Sequence, residues 1–437
     1  MVDTPQTHGA GLPFALAALA VANVPIQFAF QWYPLLRLGA GAETDALFAA
    51  MVLPQIVLAV VGGSLSQVLV PLLANQSSEA FGEQAWTFFQ SIGLLLGAIA
   101  LLLGATAGVW VPWTVPGFSP ATLVLAIALA RIQLVGMVFS GLLAVGWSSY
   151  QARHRFIWVE LSTCLCGLAA VAVMVATIAA HGVAAVAWAA SLRSILQVAL
   201  LLPGLGRYKT PRWRSPATLE AWRRLRVLVV GTVYYKTDQL VDRFLASMAP
   251  VGQLSLLYLG QQLYGAGNLV LNKAIAGPML PMLAQRAENG DWDGFRRVSR
   301  SRLAWVTGLT TFGYVVTLVA GRPLIRLGLG YGRFGAQDVS TLWMLLIALA
   351  GVLIGGAAGQ VLTLSFYAYG NTTTPTKVGV FGFSVGLALK IFAFRAWGVL
   401  GVALATSTYM FLTAVLHNIF LTRDINTRLA RPPPELV

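Results

Sequence analysis

Gly182-Val183-Ala184-Ala185-Val186-Ala187 and, 216 residues later, Gly398-Val399-Leu400-Gly401-Val402-Ala403 open two apolar runs of the same make-up in the two halves of one chain. A second pair, Val70-Pro71-Leu72-Leu73-Ala74 and Leu280-Pro281-Met282-Leu283-Ala284, is offset by 210 residues. Acidic residues follow each member of that pair: Glu79 and Glu83 after the first, Glu288, Asp291 and Asp293 after the second. Apolar sequences match easily by chance, but two matches at nearly one offset describe an internal repeat that fills the 437-residue chain twice over.

Around these anchors the composition is 57% apolar and 10% charged, with a mean hydropathy of +0.74. A soluble domain carries about 25% charge, so a soluble fold is excluded. The apolar runs are about 20 residues or more, the length that crosses a hydrocarbon core of about 30 Å. They place spans near 12–33, 46–73, 88–112, 121–146, 156–180, 182–203, 226–248, 254–282, 303–320, 340–367, 377–397 and 399–421. The first matched pair then starts spans six and twelve, and the second ends spans two and eight. No alternating ten-residue pattern appears, which excludes an outer-membrane barrel. The expected fold is an all-α polytopic membrane protein of about 12 transmembrane helices. Residues 1–203 and 226–421 form two six-helix bundles, joined by a basic cytoplasmic linker, 204–225, and followed by a cytoplasmic tail, 422–437. Because each half holds an even number of spans, the halves run in the same sense about a pseudo-two-fold along the membrane normal, the architecture of an alternating-access transporter.

The net charge of +14 is a matter of orientation. Of 29 Lys and Arg, 18 fall on the side of the termini and 5 on the other, so the positive-inside rule puts both termini in the cytoplasm. No basic residue precedes Arg37, and the first run is expected to be a retained helix and not a cleaved signal peptide. Six cations remain inside spans: Arg131, Arg193, Lys236, Arg243, Lys273 and Lys390. A charge at mid-membrane costs about 2.5–3.5 kcal/mol even on the lenient insertion scale, so such residues usually face a wet cavity or a partner.

The seventh span is the richest: Tyr234-Tyr235-Lys236-Thr237-Asp238-Gln239-Leu240-Val241-Asp242-Arg243. Helical spacing puts Lys236, Gln239 and Arg243 on one face and Asp238 and Asp242 on another. One reading has the cations holding an anionic substrate and the carboxylates, each raising the other's proton affinity, carrying a coupling proton or Na⁺. The other has all four pairing as a structural network. Lys273 lies near Asn268 and Asn272, and its repeat partner is Gly63, so this cation is present in one half alone. Pro54, Gly62 and Gly63 in the second span and Gly265, Gly267 and Pro278 in the eighth are points for gating bends or for close packing. Arg131, Arg193 and Lys390 line a cavity or snorkel. Cys164 and Cys166 point to different sides of a helix and read as packing residues, not as a disulfide or a metal pair.

No enzyme motif, phosphate loop or metal site is present in the sequence, and no loop is large enough for a catalytic domain. The chain is expected to be a transporter without a cofactor, driven by a proton or Na⁺ gradient or by the membrane potential. Nucleic acid is not an expected partner, since the basic excess belongs to membrane orientation.

Several segments together resemble the MurJ/MviN family of lipid-linked-oligosaccharide flippases, within the superfamily that includes the O-antigen flippases and MATE exporters. They are Gly39-Ala40-Gly41-Ala42-Glu43-Thr44-Asp45-Ala46-Leu47-Phe48 leading into Leu53-Pro54, and Ser66-Gln67 through Ala74. Val241-Asp242-Arg243-Phe244-Leu245-Ala246-Ser247 with Pro250-Val251-Gly252, Leu280-Pro281-Met282-Leu283-Ala284, and Phe366-Tyr367-Ala368-Tyr369-Gly370-Asn371-Thr372-Thr373-Thr374-Pro375 complete the set. The resemblance implies movement of an undecaprenyl-diphosphate-linked sugar from the cytoplasmic to the periplasmic leaflet of a bacterial inner membrane. It implies a cationic cavity for the diphosphate, with membrane lipids and glycan polymerases or glycosyltransferases as partners. The substrate-binding candidates are then Lys236, Arg243, Lys273, Asp45, Asn268, Asn272 and Arg131, with Asp238 and Asp242 for ion coupling. Family members that carry lipid II have arginines in the first, second and eighth spans. This chain has none from Leu12 to Pro34, and has Gln55 and Gln261-Gln262 in the other two, which points to an exopolysaccharide or lipopolysaccharide repeat unit. The alternatives are a MATE-like cation-coupled multidrug exporter, whose cavity should be acidic, and a membrane glycosyltransferase, ligase or polymerase, which needs a larger outer loop.

Overall fold

The computed structural model describes residues 11–74, 76–215, 218–219, 222–223, 225, 234, 236–271 and 277–430. Its helices are α1 (Gly11–Leu38), α2 (Ala42–Ala50), α3 (Val52–Ala74), α4 (Ser78–Ala105), α5 (Ala107–Thr114), α6 (Pro120–Ala152), α7 (Phe156–Leu201), α8 (Asp238–Ser247), α9 (Gln253–Leu271), α10 (Gly277–Glu288), α11 (Trp292–Leu329), α12 (Ala336–Ala348), α13 (Ala350–Ala368) and α14 (Thr373–Leu429). No strand occurs among the described residues. The chain is an all-α membrane protein, and it divides into two compact units, one ending at Arg243 and one beginning at Phe244.

Local chemistry sets the helix ends. Gly39, at φ 82°, turns the chain after α1, and the Thr44 hydroxyl accepts from the Gly41 amide at 2.9 Å to start α2. Ser77, Ser119 and Asp291 cap α4, α6 and α11 by accepting backbone N–H bonds, and Pro120 takes the first helical position of α6, where its missing N–H costs nothing.

Seven described segments are long and apolar enough to cross a membrane, and two of these are too long for one crossing. In both, a glycine breaks the run: Gly182 at φ 53°, ψ −136° and Gly398 at φ 58°, ψ −139°. The chain folds back there. Gln197 Nε2 donates to Thr163 Oγ1 at 2.6 Å, although 34 residues of straight helix would separate them by about 50 Å. In α14, a methyl group on Gly386 would lie 2.5 Å from the Tyr409 ring. Spans five and six, and eleven and twelve, are therefore hairpins joined through a single glycine.

The repeat is visible in the bonds as well. Ser191 Oγ donates to the Ile132 carbonyl at 3.2 Å, and Ser407 Oγ donates to the Ala348 carbonyl at 2.5 Å. Both members of the second pair are 216 residues beyond those of the first, the same interval as between the two glycines. In the first unit α6 is the central helix and packs on α2, α3, α4, α5 and α7; in the second, α13 packs on α9, α10, α11 and α14. Each centre is allowed by small residues: an added methyl would lie 1.9 Å from Leu96 at Gly141 and 2.2 Å from the Ser407 carbonyl at Gly351. Leu65, Leu69, Phe88, Ile92, Leu96 and Val145 form one core, and Met279, Leu283, Phe295, Val361, Phe366 and Leu421 its counterpart.

Candidate functional site

The seventh-span motif passes from exposed to buried. Lys236 and Gln239 are exposed, Asp238 is half-buried, and Asp242 and Arg243 are each only 2% exposed. Arg243 is among the largest fully enclosed side chains of the protein. Asp238 and Asp242 lie one turn apart in the first turns of α8, and Arg243 follows Asp242 directly in the chain. Lys273 and Asn272 lie outside the described residues. Asn268 is half-buried on α9; its Nδ2 donates to the Val352 carbonyl at 2.7 Å, tying α9 to α13, and its Oδ1 finds no hydrogen-bond partner among the described residues.

Asp45 is 4% exposed, held at the start of α2 by the turn that Gly39 and Thr44 build. Arg131 is exposed on α6, and its Nε donates to the Gly104 carbonyl at 3.1 Å, a bond that serves the last turn of α4. Lys390 does not snorkel. It is completely buried, with its ammonium 5.4 Å from the centre of the Tyr409 ring. The position 216 residues earlier is Met174, equally buried, so this cation is a property of the second unit. Pro54 is buried in the first turn of α3, and Gly62 and Gly63 lie within unbroken α3. Gly265 and Gly267 lie within unbroken α9, and Pro278 in the first turn of α10. The described breaks in the second and tenth spans fall at Met51 and Leu349.

The first unit holds a polar group absent from the sequence candidates. Asn23 Nδ2 donates to Glu160 Oε2 at 3.4 Å, and Asn23 Oδ1, buried, has no partner among the described residues. Arg193 lies 5.9 Å from the Phe30 ring on the same set of helices. The signal for Glu160 was a lone carboxylate at the fifth position of an apolar run. Cys164 and Cys166 are buried free thiols, as packing residues should be.

The segment Phe366 to Pro375 builds a cap. Tyr369 donates to Asp424 Oδ2 at 3.0 Å, Asn371 Nδ2 donates to the same oxygen at 3.2 Å, and Asn371 Oδ1 receives the Thr374 amide to start α14. Arg428 lies 4.5 Å over Trp292 and 4.6 Å over Tyr369. Burial, reinforced by Asp424, holds the Tyr369 hydroxyl above its ordinary pKa, so it remains a donor.

Fully buried and half-buried charge on long apolar helices, in two units built on one repeated plan, defines a multi-pass membrane transporter. A family model described as "Lipid II flippase MurJ" matches residues 36–431, and the chain belongs to that family. A curated relative from Vibrio cholerae, "Probable lipid II flippase MurJ", is 24% identical over 407 residues, covering 87% of this chain and 76% of the relative. Among solved structures, "Lipid II flippase MurJ, inward closed conformation" aligns with a TM-score of 0.82 at 18% identity, covering 95% of this chain and 90% of that one. An inward-facing multidrug resistance MATE family transporter of the MOP superfamily aligns at 0.76 with 12% identity, covering 95% and 98%; the likeness to both structures is one of fold.

Proposed function

We propose that this protein is an alternating-access flippase for an undecaprenyl-diphosphate-linked oligosaccharide, moving it from the cytoplasmic to the periplasmic leaflet with both termini in the cytoplasm. The observation that carries the reading is membership in the lipid II flippase family together with membrane-embedded cations, Arg243 and Lys390 above all. A diphosphate is a dense anion, and cations in a poorly screening interior suit it. Lys236, Arg243 and Lys273 are its proposed ligands, with Asp45, Asn268 and Asn272 contributing around the sugar. Asp238 and Asp242 are the proposed site of a coupling proton or Na⁺. The MATE-like alternative has the fold on its side but calls for an acidic binding surface, against six span cations here.

The curated relatives are named for lipid II, whereas the missing arginines of the first, second and eighth spans favour a repeat unit of an exopolysaccharide or lipopolysaccharide. Reconstitution into vesicles loaded with either glycolipid, read by leaflet-specific chemistry, separates the two. Replacing Lys236, Arg243 and Lys273 together with Gln should abolish export while the protein still accumulates in the membrane; intact export would remove the diphosphate site. Asp238→Asn with Asp242→Asn should lower transport and blunt its response to an uncoupler, and no change in either would make the pair structural.

A further inference from the structure

The second unit contains an open cleft of about 860 Å³ between the first turns of α11 and the last turns of α14. Arg300, Asn418, Thr422, Arg423 and Asn426 line it, and no carboxylate does. Neither the Arg300 nor the Arg423 side chain forms an ion pair among the described residues, in contrast to neighbouring Arg296, which bonds Asp293 at 3.0 Å. Both arginines are exposed, at the arginine-rich end of helices that cross the membrane. Toward the membrane interior the polar lining gives way to apolar surface: Ile419 and Val415, one and two turns before Arg423 on the same face of α14, are each 54% exposed.

We propose that this cleft seats an anionic glycerophospholipid of the surrounding bilayer, its phosphate between Arg300 and Arg423 and an acyl chain along Ile419 and Val415. Two guanidinium groups, neither in an ion pair among the described residues, over an adjoining apolar strip match a ligand that is anionic at one end and hydrocarbon at the other. A zwitterionic lipid would bring its ammonium among the arginines, and a small free anion would leave the apolar strip uncovered. The asparagine amides supply donors for the remaining phosphate and glycerol oxygens. The cleft is built from the second unit alone, and none of the proposed ligands of the transported glycolipid is among its lining residues.

The test is native mass spectrometry of the full chain in detergent, with phosphatidylglycerol and phosphatidylethanolamine offered at equal concentration. The wild type should retain phosphatidylglycerol preferentially. Arg300→Gln with Arg423→Gln should weaken that retention about thirtyfold, since each surface arginine contributes about 1 kcal/mol toward an anionic lipid. Arg300→Lys with Arg423→Lys should keep most of it, and Arg326→Gln with Arg333→Gln, in the last turn of α11 and the connection that follows it, should leave it unchanged. Equal retention of both lipids by the wild type, or undiminished retention by the double Gln variant, overturns the proposal. Displacement of the lipid by millimolar glycerol 3-phosphate overturns it too, by assigning the cleft to a free anion.

Discussion

Gly182→Ala and Gly398→Ala isolate the backbone cost of the two hairpin turns. At Gly398 an added methyl meets nothing within 4 Å, and at Gly182 its nearest neighbour is Glu43 Oε2 at 3.6 Å, an ordinary contact. Sterics beyond the residue itself therefore contribute nothing, and the whole effect is conformational. Positive φ with strongly negative ψ is glycine territory, and holding an L-residue there costs about 1–3 kcal/mol. The two variants should lose the same amount, because their dihedrals agree within a few degrees. Being in separate units, they should add to about 2–6 kcal/mol in the double variant. Gly265→Ala is the reference: it also meets open space but lies inside a helix, so it should stabilise by about 0.5–1 kcal/mol. The assay is titration of the purified protein from mild detergent into SDS, followed by circular dichroism. If the two turn variants track Gly265→Ala, the reasoning that the turns depend on glycine is refuted.

Lys390→Met should lower resistance to SDS, by about 1–3 kcal/mol, because it takes a fully buried cation away from the groups packed around it, the Tyr409 ring among them; transport measured alongside tells whether that charge also serves function. Gly351→Ala should cost about 1–3 kcal/mol in the same titration, since its methyl would press into the Ser407 backbone. Asp424→Ala deprives Tyr369 and Asn371 of their shared acceptor and should cost about 1–3 kcal/mol, with Tyr369→Phe costing less. Arg131→Gln should change stability in the same titration by about 1 kcal/mol or less, as suits an exposed side chain bonded to a helix-end carbonyl.

The repeat and the hairpin turns were legible because glycine is chemically distinct and recurs at one interval: the spans expected to meet at 182 and 398 do so. Met51 and Leu349 gave no such sign, being ordinary helix formers at the ends of helices. Burial within the spans was the least legible quantity. In a membrane helix the lipid-facing and core-facing sides are both apolar, so periodicity does not say which side is inward, and Lys390 remained undecided until packing enclosed it. Asp242 and Arg243 were visible because charge is scarce, whereas Lys236, seven residues earlier, is exposed although helical spacing grouped it with Arg243. Glu160 was overshadowed by the richer seventh span.

A one-residue connection has a consequence for anyone mapping this protein from outside. Where Gly182 and Gly398 reverse the chain, no loop protrudes for a protease to cut, an epitope to occupy or a bulky thiol reagent to reach. Tags inserted there would pry apart helices that touch within a few residues of the turn, as Gly401 against the Ala393 carbonyl illustrates. Silence from labels at these two positions would report tight turns, and would be wrongly read as a segment that never leaves the bilayer.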